Sequence, residues 1–191
     1  MPRVAIVAGI NGAGKTTASQ IVLRGMLKMP CFVNADAIAR GLNGFNPEGE
    51  AAKAGRIMLE HLHELAADRK DFSFETTLAG RAYAPWLAEL RASGYEIRLF
   101  YYWLRSPDLA IGRVAQRVQA GGHHIPEATI RQRYSRSVRN FFELFRPVCT
   151  DWRVYDNSDD ESRLVAFGDW QKETVLDGDT WFDILRSAGH D

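Results

Sequence analysis

The sequence predicts an α/β fold in which a mostly parallel, five-stranded sheet carries helices on both faces, a three-layer sandwich. Three observations support this prediction. Strand-like and helix-like segments alternate along the chain, which is the order that a covered parallel sheet requires. The first strand runs directly into a glycine-rich turn and then into a helix. The length of 191 residues suits a single domain with a substantial core.

The N-terminal half of the chain supplies three of the predicted strands. Val4–Ala8 is a continuous apolar run, typical of a strand buried on both faces. The run after Lys15 is poor in glycine and has apolar residues at helical spacing, so it predicts a helix. The elements predicted after the first strand are helix Lys15–Leu27, strand Cys31–Asn34, helices Asp36–Arg40 and Glu50–Ala67, and strand Phe72–Glu75.

The C-terminal half continues the alternation. Ser106-Pro107 is a favourable helix start, the glycines and histidines of 121–124 interrupt that helix, and Pro126 opens another one. The residues after the fifth strand predict a short hairpin and a last helix at the sheet edge. The predicted elements are helix Tyr83–Ser93, strand Glu96–Leu104, a helix ending at Ala120, a helix from Pro126 to about Phe145, strand Trp152–Tyr155, hairpin strands Leu164–Phe167 and Thr174–Leu176, and helix Trp181–Leu185.

Composition narrows the classes of function. Lys plus Arg equals Asp plus Glu at 24 each, so no overall basic field attracts nucleic acid, and we expect no nucleic-acid partner. The chain has no signal-peptide pattern and no apolar run of membrane-spanning length, so we expect a cytoplasmic protein without a membrane partner. We also expect a monomer. Cys31 and Cys149 lack metal-ligand spacing and are interpreted as core residues.

A full match to the phosphate-binding loop pattern G-x-x-x-x-G-K-[ST] spans residues 9–16. Its glycines adopt backbone angles closed to other residues, so that successive N–H groups face phosphate oxygens. Lys15, expected to be an exposed loop lysine, adds charge near the β and γ phosphates, and Thr16 supplies a hydroxyl for Mg²⁺. The alternative is a glycine-rich turn that binds nothing. The residues predicted to bind ATP here are Gly9, Asn11, Gly12, Ala13, Gly14, Lys15, Thr16 and Thr17.

Ligands of open parallel sheets bind beyond the carboxyl ends of the strands, so the residues that follow each strand are the candidates for a binding site. Asp36 follows the second strand and is predicted to be a general base that accepts the proton of a substrate hydroxyl during phosphoryl transfer. The alternative is that Asp36 is a helix N-cap paired with Arg40.

The third strand ends in Glu75, which is followed by two threonines. Glu75 is suited to hold Mg²⁺ through water, and Glu75, Thr77 and Arg81 are suited to bind a substrate that carries hydroxyls. The alternative is that the threonines start a helix and that Arg81 is merely solvated.

An arginine-rich helix–loop–helix follows the fourth strand. Segment 105–139 has seven arginines against two acidic residues. We predict a helical lid over about 113–136 that is open until ATP closes it, because arginine binds phosphate oxygens bidentately. A solvated face is the alternative. The arginines of interest are Arg113 for nucleotide binding, Arg117 and Arg133 for catalysis, and also Arg131 and Arg136. His123 and His124 are interpreted as loop residues rather than metal ligands.

Asn157 follows the fifth strand, where it either meets the nucleotide base or forms a plain turn. Rival functions lack their motifs: neither the Asn-Lys-x-Asp of a guanine-nucleotide switch nor the strand-terminal Asp-Glu of a motor ATPase occurs. A polynucleotide-end kinase is disfavoured by the zero net charge. A nucleotide-dependent ATPase or switch acting on a protein partner, and a kinase for another acceptor such as an antibiotic, stay open.

Together these segments resemble the zeta-toxin-like family of P-loop kinases and, less closely, chloramphenicol phosphotransferase. The resemblance rests on residues 9–16, Asn34-Ala35-Asp36, Phe74-Glu75-Thr76-Thr77 and Arg113-x-x-x-Arg117 with the lid that follows, and it spans about residues 4–157. It implies a P-loop NTPase fold and a kinase in which Lys15 and Thr16 hold ATP and Mg²⁺, Asp36 is the base, Glu75 and Thr77 contact the acceptor, and Arg117 and Arg133 face the phosphates.

The resemblance also has implications for the acceptor and the partner. Zeta toxins phosphorylate a hydroxyl of UDP-N-acetylglucosamine and are neutralised by a small antitoxin protein. For this chain the resemblance therefore implies a small-molecule hydroxyl acceptor of the nucleotide-sugar type and a small antitoxin as partner.

Overall fold

The computed structural model describes residues 1–122 and 124–189, and its centre is a seven-stranded sheet in the order β2-β3-β1-β4-β5-β6-β7. The first five strands run parallel, and the last two are antiparallel additions at one edge. The strands are β1 (Arg3–Gly9), β2 (Phe32–Val33), β3 (Phe72–Thr76), β4 (Glu96–Trp103), β5 (Asp151–Asp156), β6 (Arg163–Asp169) and β7 (Glu173–Val175).

β1 lies between β3 and β4, with Ile6 opposite Phe74 on one side and Leu99 on the other. All three of these side chains are fully buried, as expected of a parallel strand that is covered on both faces. Because the five parallel strands point the same way, the segments that follow them meet at one edge of the sheet.

Helices cover both faces of the sheet. The helix after the phosphate loop differs from the prediction, because it continues from Ser19 as a π-helix, Gln20–Met26, rather than as a regular α-helix. The helices are α1 (Lys15–Ser19), α2 (Ala35–Leu42), α3 (Ala51–Ala67), α4 (Tyr83–Ala92), α5 (Pro107–Gln119), α6 (Glu127–Asn140) and α7 (Gly178–Ala188). Shorter segments are the 3-10 turns Glu48–Glu50 and Arg146–Val148 and a second π-helix, Phe141–Phe145.

The predicted hairpin adds two strands to the five expected, because β6 pairs with β5 along nearly its whole length. The last helix, α7, begins at Gly178 because the Asp177 side chain caps it, accepting the Thr180 N–H at 3.1 Å. Trp181 of α7 stacks on Trp152 of β5, with ring centroids 5.9 Å apart. The C-terminal segment is therefore packed against the same sheet as the phosphate loop.

Two further predictions are that His123 and His124 lie in the loop between α5 and α6 and that no segment spans a membrane. His124 is in that loop, as predicted, whereas His123 lies outside the described residues. Over the part of the chain that the structure describes, no helix combines the length and the apolar character needed to cross a membrane.

Candidate active site

The phosphate loop connects β1 to α1 and depends on its three glycines. Gly9, Gly12 and Gly14 have φ angles of +142°, +82° and +73°. A Cβ atom on Gly9 would lie 2.2 Å from the Tyr102 carbonyl oxygen, and one on Gly12 would lie 2.9 Å from the Ala110 carbonyl oxygen. Glycine at these positions lets the loop close tightly against β4 and α5, leaving a concave surface suited to an anion.

Lys15 is buried, in contrast to the exposed side chain expected from the sequence. Its Nζ donates to the Ile10 carbonyl oxygen at 2.9 Å and lies 3.8 Å from Glu75 Oε1. Both partners hold the ammonium group inward, Ile10 from the loop itself and Glu75 from near the end of β3. Burial lowers the pKa of Lys15, whereas the charges of Glu75 and Asp36 oppose that change.

Glu75 stands between the phosphate loop and the end of β2. Its Oε2 accepts hydrogen bonds from Thr16 Oγ1 at 3.3 Å and from Asn34 Nδ2 at 3.0 Å. Burial raises the pKa of Glu75, and the neighbouring Lys15 charge opposes this shift. The Thr16 hydroxyl and the Glu75 carboxylate place oxygen donors beside the phosphate loop, as Mg²⁺ requires when phosphate and water supply its other ligands. The described residues contain no cluster of three or more His, Cys, Asp or Glu side chains suited to a metal.

The Asp36 carboxylate does not cap α2. The N-cap is Asn34, whose Oδ1 accepts the Asp36 and Ala37 N–H groups at 2.8 and 3.1 Å. Asp36 is exposed in the first turn, and no ion pair joins it to Arg40 among the described residues. The capping alternative is therefore wrong. Asn34 was missed as a site residue, although an Asn two positions before a helical Asp is a recognisable cap signal.

A cavity of about 560 Å³ lies beyond the phosphate loop and is called here the main cavity. It is lined by residues from the ends of β1, β2 and β3 and from the arginine-rich helices. The predicted site residues that it brings together are Asn11, Lys15, Asp36, Glu75, Thr77, Arg117 and Arg133. It also includes Thr129, Gln132 and Arg136 of α6, of which the first two were not predicted.

The arginines of the predicted lid divide into two groups. Arg133 Nη1 donates to Asn11 Oδ1 of the phosphate loop at 3.2 Å, so this part of the lid is closer to the loop than the open arrangement expected. The Asn11 oxygen compensates part of the like-charge repulsion that favours opening. Arg131 instead forms a surface ion pair with Asp108 at 2.6 Å, as the solvated-face alternative predicts.

Arg113 and Asn157 do not line the main cavity. The Arg113 guanidinium donates to the carbonyl oxygens of Asn157 and Ser158 at 2.6 and 2.9 Å. Asn157 Nδ2 donates to the Ala13 carbonyl oxygen at 2.8 Å. These two residues therefore hold the 157–159 loop against the outer side of the phosphate loop.

Arg81 lies apart from Glu75. It lines a neighbouring cavity of about 850 Å³ together with Arg136, Arg139 and Glu143. The two cavities share Ala79, Gly80 and Arg136 at their boundary.

A further cavity of about 350 Å³ lies on the other side of Asp36 and is called here the side cavity. Asp36, Arg40, the exposed Phe45 and Gly122 are among its lining residues. The His124 N–H donates to Glu48 Oε1 at 3.0 Å and so links the α5–α6 loop to the segment before α3. Asp36 therefore stands where two cavities meet.

A family model described as an AAA domain matches residues 4–138, which include the phosphate loop, Asp36, Glu75 and the lid. The chain belongs to this AAA domain family. Over 126 residues this AAA domain is 27% identical to an uncharacterized protein of Haemophilus influenzae, and the match covers 66% of the chain and 88% of that protein.

Solved structures share the fold at low sequence identity. The AvrRxo1-ORF1:-ORF2 complex with ATP matches with a TM-score of 0.75 and 14% identity, over 96% of this chain and 63% of the matched chain. The PezAT chromosomal toxin-antitoxin system of Streptococcus pneumoniae matches with a TM-score of 0.66 and 17% identity. This match covers 100% of this chain and 80% of the matched chain. A gluconokinase from Sinorhizobium meliloti matches with 0.54 and 15%, over 83% of each chain. This AAA domain thus shares a P-loop NTPase-like fold with these proteins, and it spans less than two thirds of the AvrRxo1 chain.

Proposed function

We propose that this AAA domain is an ATP- and Mg²⁺-dependent kinase that transfers the γ-phosphoryl group to a hydroxyl of a small-molecule acceptor. One observation carries the proposal. A buried lysine and two arginines converge on the mouth of a phosphate loop, and an exposed carboxylate faces the same cavity. The cations can bind phosphate oxygens, and the carboxylate can accept the proton that an acceptor hydroxyl loses.

In this reaction the side chains of the main cavity have separate roles. The acceptor oxygen forms a bond to the γ-phosphorus while the bond to the oxygen of the ADP leaving group breaks, and the hydroxyl proton passes to the Asp36 carboxylate. Lys15, Arg117 and Arg133 stabilise the charge on the transferring phosphoryl group. Glu75 and Thr77 bind hydroxyls of the acceptor.

Thr16 and, through water, Glu75 would hold Mg²⁺ beside the phosphate loop. When bound there, the ion supplies charge neutralisation and orientation of the phosphate oxygens.

UDP-N-acetylglucosamine, or a related nucleotide sugar, is our first candidate for the acceptor. The main cavity adjoins the side cavity at Asp36 and the Arg81 cavity at Arg136, so an acceptor longer than a single sugar has room on either side. The zeta-toxin resemblance and the PezAT fold support the same class and favour a small antitoxin as protein partner.

The test is a transfer screen with purified protein, ATP and Mg²⁺. Candidate acceptors are nucleotide sugars, aminoglycosides, nucleosides and amphenicols, and the phosphorylated product is detected by mass. We expect ATP consumption to be nearly absent until a true acceptor is added, and the Lys15→Ala variant serves as the inactive control. ATP hydrolysis at the same rate without any acceptor would contradict a kinase and favour an ATPase or switch acting on a protein.

A further inference from the structure

Helix α6 contacts two loops that face the main cavity. At one end of this contact, Arg133 donates to Asn11 of the phosphate loop. One helical turn later, Ser137 Oγ donates to the Thr77 carbonyl oxygen at 2.6 Å. Asn140 Nδ2 then donates to the Leu78 carbonyl oxygen at 2.7 Å. Ser137 thus lies about one helical turn, and Asn140 about two turns, after the contact with the phosphate loop.

The two α6 side chains that contact the loop after β3 are buried. Ser137 is fully buried and Asn140 is 6% exposed. Tyr101 of β4, also fully buried, has its Oη 2.9 Å from Ser137 Oγ and fixes that hydroxyl from the side of the sheet. Buried hydrogen bonds of this kind are costly to break, because the groups left behind cannot reach water.

The loop they hold has a strained conformation. Leu78 is fully buried and has a φ of +56°, in the left-handed region that a leucine rarely occupies. Thr76 Oγ1 accepts the Leu78 N–H at 3.2 Å, while Asn140 binds the Leu78 carbonyl. This conformation turns the chain two residues after the end of β3, where Thr77, Ala79 and Gly80 line the main cavity.

We infer that Ser137 and Asn140 are positioning residues that fix the acceptor loop, residues 77–80, relative to Arg133 and the phosphate loop. On this basis, a nucleotide that binds Arg133 also orders the acceptor loop. Loss of the Ser137 or the Asn140 side chain should then leave the acceptor loop unaffected by nucleotide binding. The inference rests on the proposed kinase function, in which Arg133 faces the γ-phosphate and Thr77 faces the acceptor.

A matched control separates positioning from mere stability. Ser73 in β3 is also fully buried, and its Oγ donates to the Cys31 carbonyl oxygen at 2.6 Å, the same bond length as that of Ser137. Ser73 lies toward the start of β3, away from residues 77–80. Ser73→Ala and Ser137→Ala each remove a serine–carbonyl bond of the same length, and Ser137→Ala also removes the contact with Tyr101 Oη. Both variants are expected to lower thermal stability, Ser137→Ala by more.

The experiment is hydrogen exchange on the full chain with and without a non-hydrolysable ATP analogue and Mg²⁺. In the wild type and in Ser73→Ala, we expect the analogue to slow exchange at residues 77–80 as well as at the phosphate loop. In Ser137→Ala, the phosphate loop should still be protected, while residues 77–80 exchange at least tenfold faster than in Ser73→Ala. Asn140→Ala, which removes an independent bond to the same loop, should behave like Ser137→Ala and replaces it if that variant does not fold.

The outcomes distinguish the inference from the function on which it rests. Protection of the phosphate loop alone in the wild type, or equal behaviour of Ser73→Ala and Ser137→Ala at residues 77–80, overturns the inference and leaves the kinase proposal standing. An analogue that protects neither loop contradicts the kinase proposal and the inference together. With UDP-N-acetylglucosamine as the acceptor probe, the inference further requires kcat/KM to fall at least tenfold in Ser137→Ala while the affinity for ATP changes less than twofold.

Discussion

Asp36 and Glu75 are two carboxylates of one cavity in different surroundings. Glu75 is covered by Lys15, Thr16 and Asn34, and burial raises its pKa. Asp36 is exposed in the first turn of α2, and the cap of that helix is Asn34. An exposed carboxylate that takes no part in capping is available to accept a proton, whereas Glu75 is committed to its neighbours.

If Asp36 is the general base, replacing it should lower the rate of phosphoryl transfer and leave the fold intact. Asp36→Asn should lower kcat with the true acceptor by at least about 10²-fold, because general-base catalysis is worth about 10²–10⁴-fold. ATP affinity and melting temperature should change little, since Asn34 continues to cap α2. Steady-state kinetics, nucleotide titration and thermal melts measure the three quantities. An active asparagine variant would remove Asp36 from the mechanism and make Glu75 the next carboxylate to test.

Glu75 predicts a pH-dependent stability. Because its folded pKa is raised above the ordinary value of 4.5, the folded protein holds this proton more tightly than the unfolded chain does. The stability that this bound proton contributes is therefore fully present below the ordinary pKa of 4.5. It is lost as the pH rises through the raised pKa of the folded protein. Glutamine does not titrate and still accepts hydrogen bonds.

The measurement is thermal unfolding of the wild type and Glu75→Gln without nucleotide, from about pH 4 to about pH 7. The stability of the wild type relative to the variant should decline as the pH rises. A stability difference between wild type and variant that stays constant with pH would show that the pKa of Glu75 is not raised in the folded state.

At the scale of elements, the lid is tied down at both ends. Arg113 binds α5 to the 157–159 loop, and Ser137 binds α6 to the loop after β3. The segment between these ties includes Gly121, at a φ of +83°, and Gly122, where a Cβ would lie 2.6 Å from Arg117 Cγ. Motion of the lid is therefore expected in that segment rather than over the whole of both helices.

Hydrogen exchange within the lid tests this expectation. An ATP analogue with Mg²⁺ should slow exchange at residues 116–133, because the closed arrangement binds phosphate preferentially. Residues 134–140 should already exchange slowly without the analogue, because Ser137 and Asn140 are bonded to the loop after β3. Equal slowing along 107–140 would indicate a lid that moves as one body, and no change at 116–133 would favour a solvated arginine face.

The sequence predicts the alternating elements well because burial in a parallel sheet leaves a local pattern of apolar runs and helical spacing. The phosphate loop is equally local, since its glycines are required by backbone angles within eight residues. The contacts of Arg113 with the 157–159 loop and of Ser137 with Thr77 join segments far apart in the chain. Nothing in either segment alone specifies its partner, so these contacts, and the burial of Lys15, could not be predicted.

At the scale of the whole molecule, the C-terminal segment completes the core. Trp181 is 6% exposed and packs on Trp152 and Phe142, with ring centroids 5.9 and 5.4 Å away. Trp181→Ala should lower the free energy of unfolding by about 3–5 kcal/mol, the usual cost of removing a large buried aromatic side chain. Trp170, which is 65% exposed, is the matched control, and Trp170→Ala should cost less than about 0.5 kcal/mol.

Urea unfolding measures both variants. Similar midpoints for the two would mean that the packing of Trp181 contributes little to the stability of the fold.

The bond between Arg133 and Asn11 has a kinetic consequence. We expect Arg133 to exchange the Asn11 side chain for a γ-phosphate oxygen when ATP binds, so ATP capture should proceed in two steps, a rapid encounter and a slower exchange of partners. In stopped-flow experiments with a fluorescent ATP analogue, the observed rate should level off at high analogue concentration. In Asn11→Ala there is no partner to exchange, and the rate should rise linearly; a plateau that survives in this variant would place the slow step elsewhere.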